Sequence, residues 1–218
     1  MKTKPILFST AMVQALLAGT KTQTRRTIKF SESVLAAIAE DPELLETLSL
    51  TRMQDGYKEG TRPVFELGDE PNAFSVPCPY GQPGDILWVR ETWQVSESYT
   101  VSDNEYIFKA DEIGENEIPW KSSIHMPKVA CRLFLKIKSI RVERLNDIEY
   151  YGAKAEGVFE SPESTDVYKN YLDRDTWFGH PVPSFQSLWQ SINGPESWEA
   201  NPWVWVVEFE KCDKPGGF

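Results

Sequence analysis

The stretch 203–209, near the end of the chain, is the sequence feature that most constrains the fold. It reads Trp-Val-Trp-Val-Val-Glu-Phe, so apolar side chains occupy both alternating sets of positions. A strand with one face in water alternates apolar and polar residues, whereas a strand covered on both faces is apolar throughout. The stretch therefore predicts a central strand of a sheet.

A second strand is predicted over 130–142, where charged and apolar residues alternate. The apolar residues keep one phase up to Ile137, but Ile140 and Val142 take the opposite phase. Because side chains in a strand alternate with a period of two, one extra residue inverts the phase. We therefore expect a β-bulge near Lys138 and Ser139.

The other patterns predict strands and helices spread along the chain, with no βαβ rhythm and no internal repeat. Further strands are predicted at 5–9, 22–28 and 86–93, with a hairpin around 106–109. Helices are predicted from Thr10, over 31–50, 145–156, 164–172 and 185–192. Residues 54–84 are rich in Gly and Pro and predict a long irregular insertion. The expected fold class is α+β and mainly β: one domain over 1–218, a small β-barrel with flanking helices and large insertions.

The charge of the chain limits how it can bind nucleic acid. With 23 Lys and Arg against 33 Asp and Glu, the formal charge is −10, which excludes a broad cationic coat. The acids are concentrated in 96–117, whereas 121–144 holds seven basic residues and one acid. Four of those basic residues are candidate contacts for a phosphate backbone: Lys128, Arg132, Lys136 and Lys138. The alternative is that they form the solvent face of an amphipathic strand.

Three cysteines, Cys78, Cys131 and Cys212, are too few and too far apart for a disulfide framework. With the two histidines they form no CxxC, HxH or HExxH motif, so no metal site is expected. No run of about 18 apolar residues is present, so no membrane span is expected. We expect a cytoplasmic protein without a cofactor.

The first candidate site is the stretch 19–26, Gly-Thr-Lys-Thr-Gln-Thr-Arg-Arg. It can be a solvated edge strand with basic residues. A chemical interpretation is that Arg25 and Arg26 lower the pKa of Lys21 by like-charge repulsion. A neutral Lys21 would then take a proton from a Thr hydroxyl. On a regular strand Lys21 and Thr24 point to opposite faces, so they meet only if Lys21 lies in the loop or a bulge intervenes.

Further candidates lie in the strand predicted at 86–93 and beyond it. Arg90 and Glu91 are charged residues in an apolar strand, so one is expected in a pocket or in a structural ion pair. His125 is a candidate hydrogen-bonding group of a pocket. Glu156 follows a short predicted helix, and the pattern around it indicates only a surface acid.

Taken together, these stretches resemble the ASCH domain, a relative of the PUA RNA-binding barrel. Gly19, Lys21 and Arg26 match the G-x-K-x-x-x-x-R signature of that family. The resemblance continues through 84–93, 131–148, 153–157 and 203–209. The whole chain also resembles ASCH-containing proteins of phages and prophages, through CPYG-x-PGD at 78–85 and through 123–127 and 201–205. Insertions at 29–77, 94–122 and 158–198 lie outside the minimal domain.

The resemblance implies a PUA-like barrel with a cleft for RNA, a nucleotide or a modified nucleoside. Small ASCH enzymes hydrolyse the acetyl amide of N4-acetylcytidine, and their catalytic Lys, Thr and Glu fall here on Lys21, Thr24 and Glu156. In this hypothesis Lys21 activates Thr24 for attack on the acetyl carbonyl, and Glu156 transfers protons to the leaving amine. The expected substrate-binding residues are Arg25, Arg26, Trp88, Arg90, Glu91 and His125.

Two other functions remain open from the sequence. One is a non-catalytic RNA- or nucleotide-binding module of phage origin, in which the basic strand contacts phosphates while the cleft reads a base. The other is a phage accessory protein that acts through a host protein, with the acidic stretch 96–117 as the contact surface.

Overall fold

The computed structural model describes residues 1–45, 64–67, 74–95, 106–111 and 119–218. The strands are β1 (Thr3–Leu7), β2 (Gln23–Thr27), β3 (Val64–Leu67), β4 (Phe74–Pro77), β5 (Ile86–Arg90), β6 (Trp93–Val95), β7 (Tyr106–Phe108), β8 (Phe134–Arg144), β9 (Tyr168–Lys169), β10 (Trp177–Phe178) and β11 (Trp203–Cys212). The α-helices are α1 (Thr10–Leu17), α2 (Glu32–Glu40), α3 (Tyr150–Ala155) and α4 (Pro181–Asn193). Short 3-10 helices span Pro42–Leu45, Lys109–Asp111, Ser123–His125, Lys128–Ala130, Leu145–Asp147 and Pro195–Ser197.

Five strands form the main sheet, in the order β1-β5-β8-β11-β2. Strands β1 and β5 are parallel, and the other neighbours are antiparallel. The described residues form an open sheet rather than the expected closed barrel, because β1 and β2 lie at opposite edges. The Arg26 side chain, rather than strand backbone, donates to the Leu7 carbonyl at the end of β1, at 2.6 Å. Among the described residues, helix and strand contents are similar, so this part of the chain is mixed α/β rather than mainly β.

Strand β11 is buried on both faces, which confirms the central strand predicted at 203–209. One face belongs to the cluster that α1 covers and the other to the cluster that α3 and α4 cover. The α1 side takes Trp203, Trp205, Val207 and Phe209, whereas the α3–α4 side takes Val204 and Val206. The apolar residues at both sets of positions therefore reflect two packed layers.

The β-bulge predicted in the basic strand is confirmed. Strand β8 pairs Ser139 with Glu208 and Ile137 with Phe209, so Lys138 is the extra residue that has no opposite partner. Ile137 and Ile140 are both buried although three positions separate them. The strand itself begins at Phe134, later than expected, because a 3-10 helix occupies Lys128–Ala130.

Helix α1 places the first candidate site. Ser9, not Thr10, is its cap, and the Ser9 Oγ accepts the Met12 N–H at 3.4 Å. The helix ends before Gly19, whose φ of 75° lies in the left-handed region that glycine adopts without strain. The chain then turns directly toward β2, which leaves Lys21 in the connection.

The later helices differ from the predictions in their extent. Helix α4 begins at Pro181, four residues earlier than the predicted helix, because Pro suits the first helical turn and His180 Nδ1 accepts the Val182 N–H. The helix predicted at 164–172 is absent. Asp166 adopts a φ of 58°, and Asn170 Oδ1 accepts the Leu172 N–H, so this stretch forms turns and the β9–β10 hairpin.

Two other predictions concern insertions that the structure describes in part. The irregular insertion predicted over 54–84 contains a hairpin of β3 and β4, while 54–63 and 68–73 lie outside the described residues. Most of the acidic stretch 96–117 also lies outside them, and its described part includes β7, which pairs with β6. Within the described ranges, no helix has the length and apolar character to cross a membrane.

Candidate active site

Lys21 lies in the loop before β2, so the alternation of strand side chains does not govern its direction. Its backbone forms an isolated antiparallel bridge with Glu156, which follows α3. Gly157 permits this close approach, because a Cβ there would lie 2.7 Å from both Lys21 Cβ and Ala15 Cβ. Residues 135 positions apart are thereby held side by side.

The Lys21 ammonium group is completely buried and meets three acceptors. Its Nζ donates to Glu156 Oε2 at 3.0 Å, to the Glu156 carbonyl at 2.8 Å and to the Gln23 carbonyl at 2.9 Å. An ammonium group has three donors, so this geometry satisfies all of them. The Lys21 side chain thus connects the start of β2 to the residue that follows α3.

Arg25 holds the other oxygen of the same carboxylate. Its Nη1 lies 3.2 Å from Glu156 Oε1, and its Nη2 lies 2.8 Å from Glu143 Oε2. Glu143 also pairs with Arg141, which in turn pairs with Glu208. Alternating charges therefore connect the buried Glu156 to partly exposed groups on β8 and β11.

The pKa of Lys21 is lowered from its ordinary value. Burial is the main cause, because it penalises the charged ammonium, and the positive charges of Arg26 and Arg25 act in the same direction. The ion pair and hydrogen bond with Glu156 oppose the shift. Lys21 is therefore a group whose proton is easier to remove than that of a lysine in water.

Thr24 is fully buried on β2, and its hydroxyl has no hydrogen-bond partner among the described residues. Strand alternation places its side chain on the opposite face from Gln23 and Arg25. The structure thus brings Lys21, Arg25 and Glu156 into direct contact, whereas Thr24, on the other face of β2 from Arg25, keeps an unused hydroxyl. A buried unpaired hydroxyl is unfavourable for stability, so it calls for an explanation other than packing.

A groove of about 690 Å³ lies on one side of the Lys21–Glu156 pair, and Lys21 lines it. Tyr151 also lines it with a ring that is 81% exposed. The other charged residues of the groove are Lys138, Arg141, Glu208, Glu210 and Lys211.

A much smaller cavity, of about 50 Å³, lies under α4, and Glu156 lines it. Its polar and charged walls include Arg25 and Arg26, and its apolar walls include Leu188 and Trp189 of α4. Because Lys21 lines the groove and Glu156 lines the cavity, the ion pair lies between the two spaces.

Arg26 completes the basic lining of the small cavity. Its guanidinium donates to the Leu7 carbonyl and lies 5.3 Å from the centre of the Phe8 ring. It pairs with no carboxylate in the described part of the chain. Burial lowers its pKa, although Tyr80 and Glu156 oppose the shift.

The candidates from 88 to 125 belong to a different region. Arg90 donates to the Ile124 carbonyl and stacks near Trp88, and Trp88 contacts the ring of Phe218. His125 is exposed in a 3-10 helix. None of Trp88, Arg90 and His125 lines the groove or the small cavity.

Glu91 is buried in an ion pair, the structural alternative that the sequence left open. Both of its carboxylate oxygens accept from Arg132, each at 2.9 Å, and Arg132 also pairs with Asp111. The guanidinium of Arg132 lies 4.0 Å from the centre of the Phe108 ring. Arg132 is thus held by two carboxylates and an aromatic ring rather than free for a phosphate.

The other three basic candidates of the strand are spread over the surface. Lys128 lies over the Phe218 ring at 4.1 Å, and Lys136 is exposed on β8. Lys138, 60% exposed, lies 3.8 Å from Glu210 and is the member of the set that lines the groove. The structure therefore does not assemble the four into one contact surface beside Lys21.

Sequence reasoning missed Glu143 and Tyr151 as site residues, and it counted Arg141 only among the basic residues of 121–144. Glu143 carried a signal, because it is the one acid in the basic stretch 121–144. Tyr151 carried none, since an aromatic residue on a short helix is most often part of the core. The described residues hold no group of three His, Cys, Asp or Glu side chains that could bind a metal ion. Burial raises the pKa of the Cys131 thiol to about 11.

Comparisons with known proteins found no relative of this chain. A scan against protein-family models, a search of curated proteins and a search of solved structures each gave no match.

Proposed function

We propose that this chain is an ASCH-type amidohydrolase that removes the acetyl group from N4-acetylcytidine-like nucleosides. The observation that carries the proposal is the Lys21–Glu156 ion pair. It joins two of the three residues that the ASCH resemblance assigns to catalysis, and the third, Thr24, has a buried hydroxyl without a partner among the described residues. A proton acceptor, a proton donor and an unused hydroxyl are the groups that amide hydrolysis needs.

The proposed reaction begins when Lys21, in its neutral form, takes the proton of the Thr24 hydroxyl. The Thr24 oxygen attacks the acetyl carbonyl, and the C–N bond to the cytosine amine breaks while Glu156 passes the proton that Lys21 took from Thr24 to the leaving nitrogen. Water then hydrolyses the acetyl ester on Thr24, which regenerates the hydroxyl and releases acetate. The lowered pKa of Lys21 supports the first step, because it increases the neutral fraction.

The surrounding spaces support a nucleoside-sized substrate. The groove of about 690 Å³ falls within the range of small-molecule sites, whereas the cavity of about 50 Å³ lies far below it. We place the nucleoside in the groove, where Tyr151 offers a ring for stacking. Lys21, Thr24 and Glu156 are each at most 3% exposed, so turnover requires the side chains around them to move apart.

The sharpest test replaces the Thr24 hydroxyl by a methyl group. Thr24→Val keeps the shape of the side chain and removes a buried hydroxyl that has no partner among the described residues. We therefore expect the free energy of unfolding to stay unchanged or to rise by up to about 1 kcal/mol. We expect hydrolysis of N4-acetylcytidine, followed by acetate release, to be abolished. Thr3→Val, at an exposed position on β1 at the opposite edge of the sheet, is the matched control and should retain turnover.

The outcome separates a catalytic threonine from a structural one. Full turnover by a folded Thr24→Val variant would contradict the assignment of the nucleophile. A strongly destabilised variant would instead indicate that the Thr24 hydroxyl supports the fold. Wild-type protein that is folded but inactive on N4-acetylcytidine would remove the proposal itself.

A second candidate function is a non-catalytic RNA- or nucleotide-binding module, and the groove favours it. An exposed Tyr151 ring beside Lys138 and Lys211 is the combination of stacking and charge by which proteins hold single-stranded nucleic acid. Binding of oligonucleotides that weakens with salt, in the absence of any acetate release, would favour this candidate. The third candidate, action through a host protein, depends on 96–117, most of which the structure does not describe.

A further inference from the structure

The small cavity under α4 combines a restricted volume with an excess of hydrogen-bond donors. Three residues that line it each carry a buried N–H group with no partner among the described residues: Arg25 Nε, Arg26 Nε and Trp189 Nε1. Buried donors are nearly always paired, so three of them around one space point to a ligand that accepts hydrogen bonds.

The charges around the cavity favour an anionic ligand. Arg25 faces Glu156 and Glu143, and Lys21 faces Glu156, but Arg26 has no carboxylate partner in the described part of the chain. While Lys21 is protonated, two carboxylates thus meet three cations next to the cavity, because Lys21 and Arg25 share Glu156 and Arg25 also pairs with Glu143. A bound monoanion would balance the remaining positive charge.

The size of the cavity limits the ligand to a few atoms. A volume of about 50 Å³ holds only a few water-sized groups, since one such group needs on the order of 10–15 Å³. The apolar walls, which include Met12, Leu188 and Ile192, suit a methyl group. A two-carbon carboxylate combines an anionic head with one methyl group and fits both properties.

We infer that this cavity receives the acyl group of the substrate and limits it to acetyl size. The inference rests on the proposed amidohydrolase function and adds a specificity for the size of the acyl group. When the amide is hydrolysed, one water molecule is consumed and the acyl group leaves as a carboxylate, which carries the charge that Arg26 can balance. Glu156, at the wall of the cavity, lies between the acyl group and the nucleoside side of the site.

The test compares N4-acetyl-, N4-propionyl- and N4-butyrylcytidine as substrates of the full chain. With wild-type protein we expect kcat/KM to fall about 10- to 200-fold for each added methylene, the usual discrimination of a close-fitting pocket. Ile192→Ala should reduce that fall, because Ile192 lines the cavity yet is 49% exposed, so its truncation disturbs the core little. Leu172→Ala, at a 59% exposed position away from the cavity, is the control and should keep the wild-type preference.

A second readout uses the carboxylate product. Acetate should inhibit the wild-type enzyme competitively and butyrate should not, whereas Ile192→Ala should admit both. Equal kcat/KM for the three substrates, or an unchanged preference in Ile192→Ala, would overturn the acyl pocket while leaving the hydrolase proposal intact. No hydrolysis of any of the three by folded wild-type protein would remove the hydrolase proposal, and the acyl pocket with it.

Discussion

Two buried carboxylates in this fold, Glu156 and Glu91, are surrounded in contrasting ways. Both are at most 2% exposed, and both pair with an arginine. Glu91 accepts hydrogen bonds from Nε and Nη2 of Arg132, and Arg132 also pairs with Asp111. Glu156 is shared between Lys21 and Arg25, and a groove and a cavity lie on its two sides.

The difference shows how a buried ion pair that stabilises a fold can be told from one that is available for chemistry. Neither Glu91 nor Arg132 lines the groove or the cavity. The neighbouring Arg90 Nε and Trp93 Nε1 are buried without partners in the described structure, but these residues line neither space. Around the cavity that Glu156 lines, by contrast, Arg25 Nε and Arg26 Nε are buried without partners among the described residues. Unused hydrogen-bonding capacity next to a space is expected of a site that awaits a substrate.

The largest effect is expected when the same substitution is made in both carboxylates. Glu156→Gln removes the proposed proton donor, so kcat for N4-acetylcytidine hydrolysis should fall about 10²- to 10⁴-fold per folded molecule. Glu91→Gln should leave kcat per folded molecule unchanged. Steady-state kinetics, corrected for the folded fraction by circular dichroism, provide the measurement. Equal losses of kcat in the two variants would contradict the assignment of Glu156 to catalysis and of Glu91 to the fold.

The next largest effect concerns stability. Arg132→Met leaves the buried Glu91 carboxylate without its bidentate partner, so the free energy of unfolding should fall by about 3 kcal/mol. Lys138→Met removes only an exposed pair with Glu210 and should change it by less than about 0.5 kcal/mol. Urea unfolding measures both. A loss in Arg132→Met no larger than that in Lys138→Met would show that Glu91 is not held as a structural pair.

A pair of glycine substitutions tests how tightly Lys21 is positioned. Gly19 and Gly157 both have positive φ, but a Cβ at Gly19 meets open space, whereas one at Gly157 overlaps Lys21. Gly19→Ala should cost about 1 kcal/mol of unfolding free energy, from backbone strain alone. Gly157→Ala should cost about 2 kcal/mol more and also lower kcat, because it displaces Lys21. Similar kcat values in the two variants would argue against a role of the Lys21 position in turnover.

The smallest effect is a pH dependence of stability that arises from Glu91. Burial raises the pKa of Glu91 in the folded state, although Arg132 opposes the shift. The folded protein therefore keeps the Glu91 proton at pH values above the ordinary pKa near 4.5. The stability that comes from this tighter proton binding is lost as pH rises through the raised pKa. The stability of wild type relative to Glu91→Gln should decrease with pH over that window in urea unfolding. A difference that increases with pH would contradict this sign.

The sequence allowed prediction of the elements whose signals are local. The double-sided apolar pattern of β11 and the phase change at Lys138 follow from a period of two residues, and both are confirmed. The open sheet was not predictable, because it depends on which strands pair over long distances. Glu156 looked like a surface acid for the same reason, since its burial comes from a bridge to Lys21, 135 residues earlier.

The central claim, that the Lys21–Glu156 pair is a reaction centre, is tested most directly by acetate release from N4-acetylcytidine by wild-type protein and by Lys21→Met. The wild-type protein should hydrolyse the amide, with a rate that rises with pH as Lys21 loses its proton. The folded Lys21→Met variant should be at least about 100-fold slower at every pH. A folded wild-type protein that releases no acetate, or a Lys21→Met variant with the wild-type rate, would contradict the account.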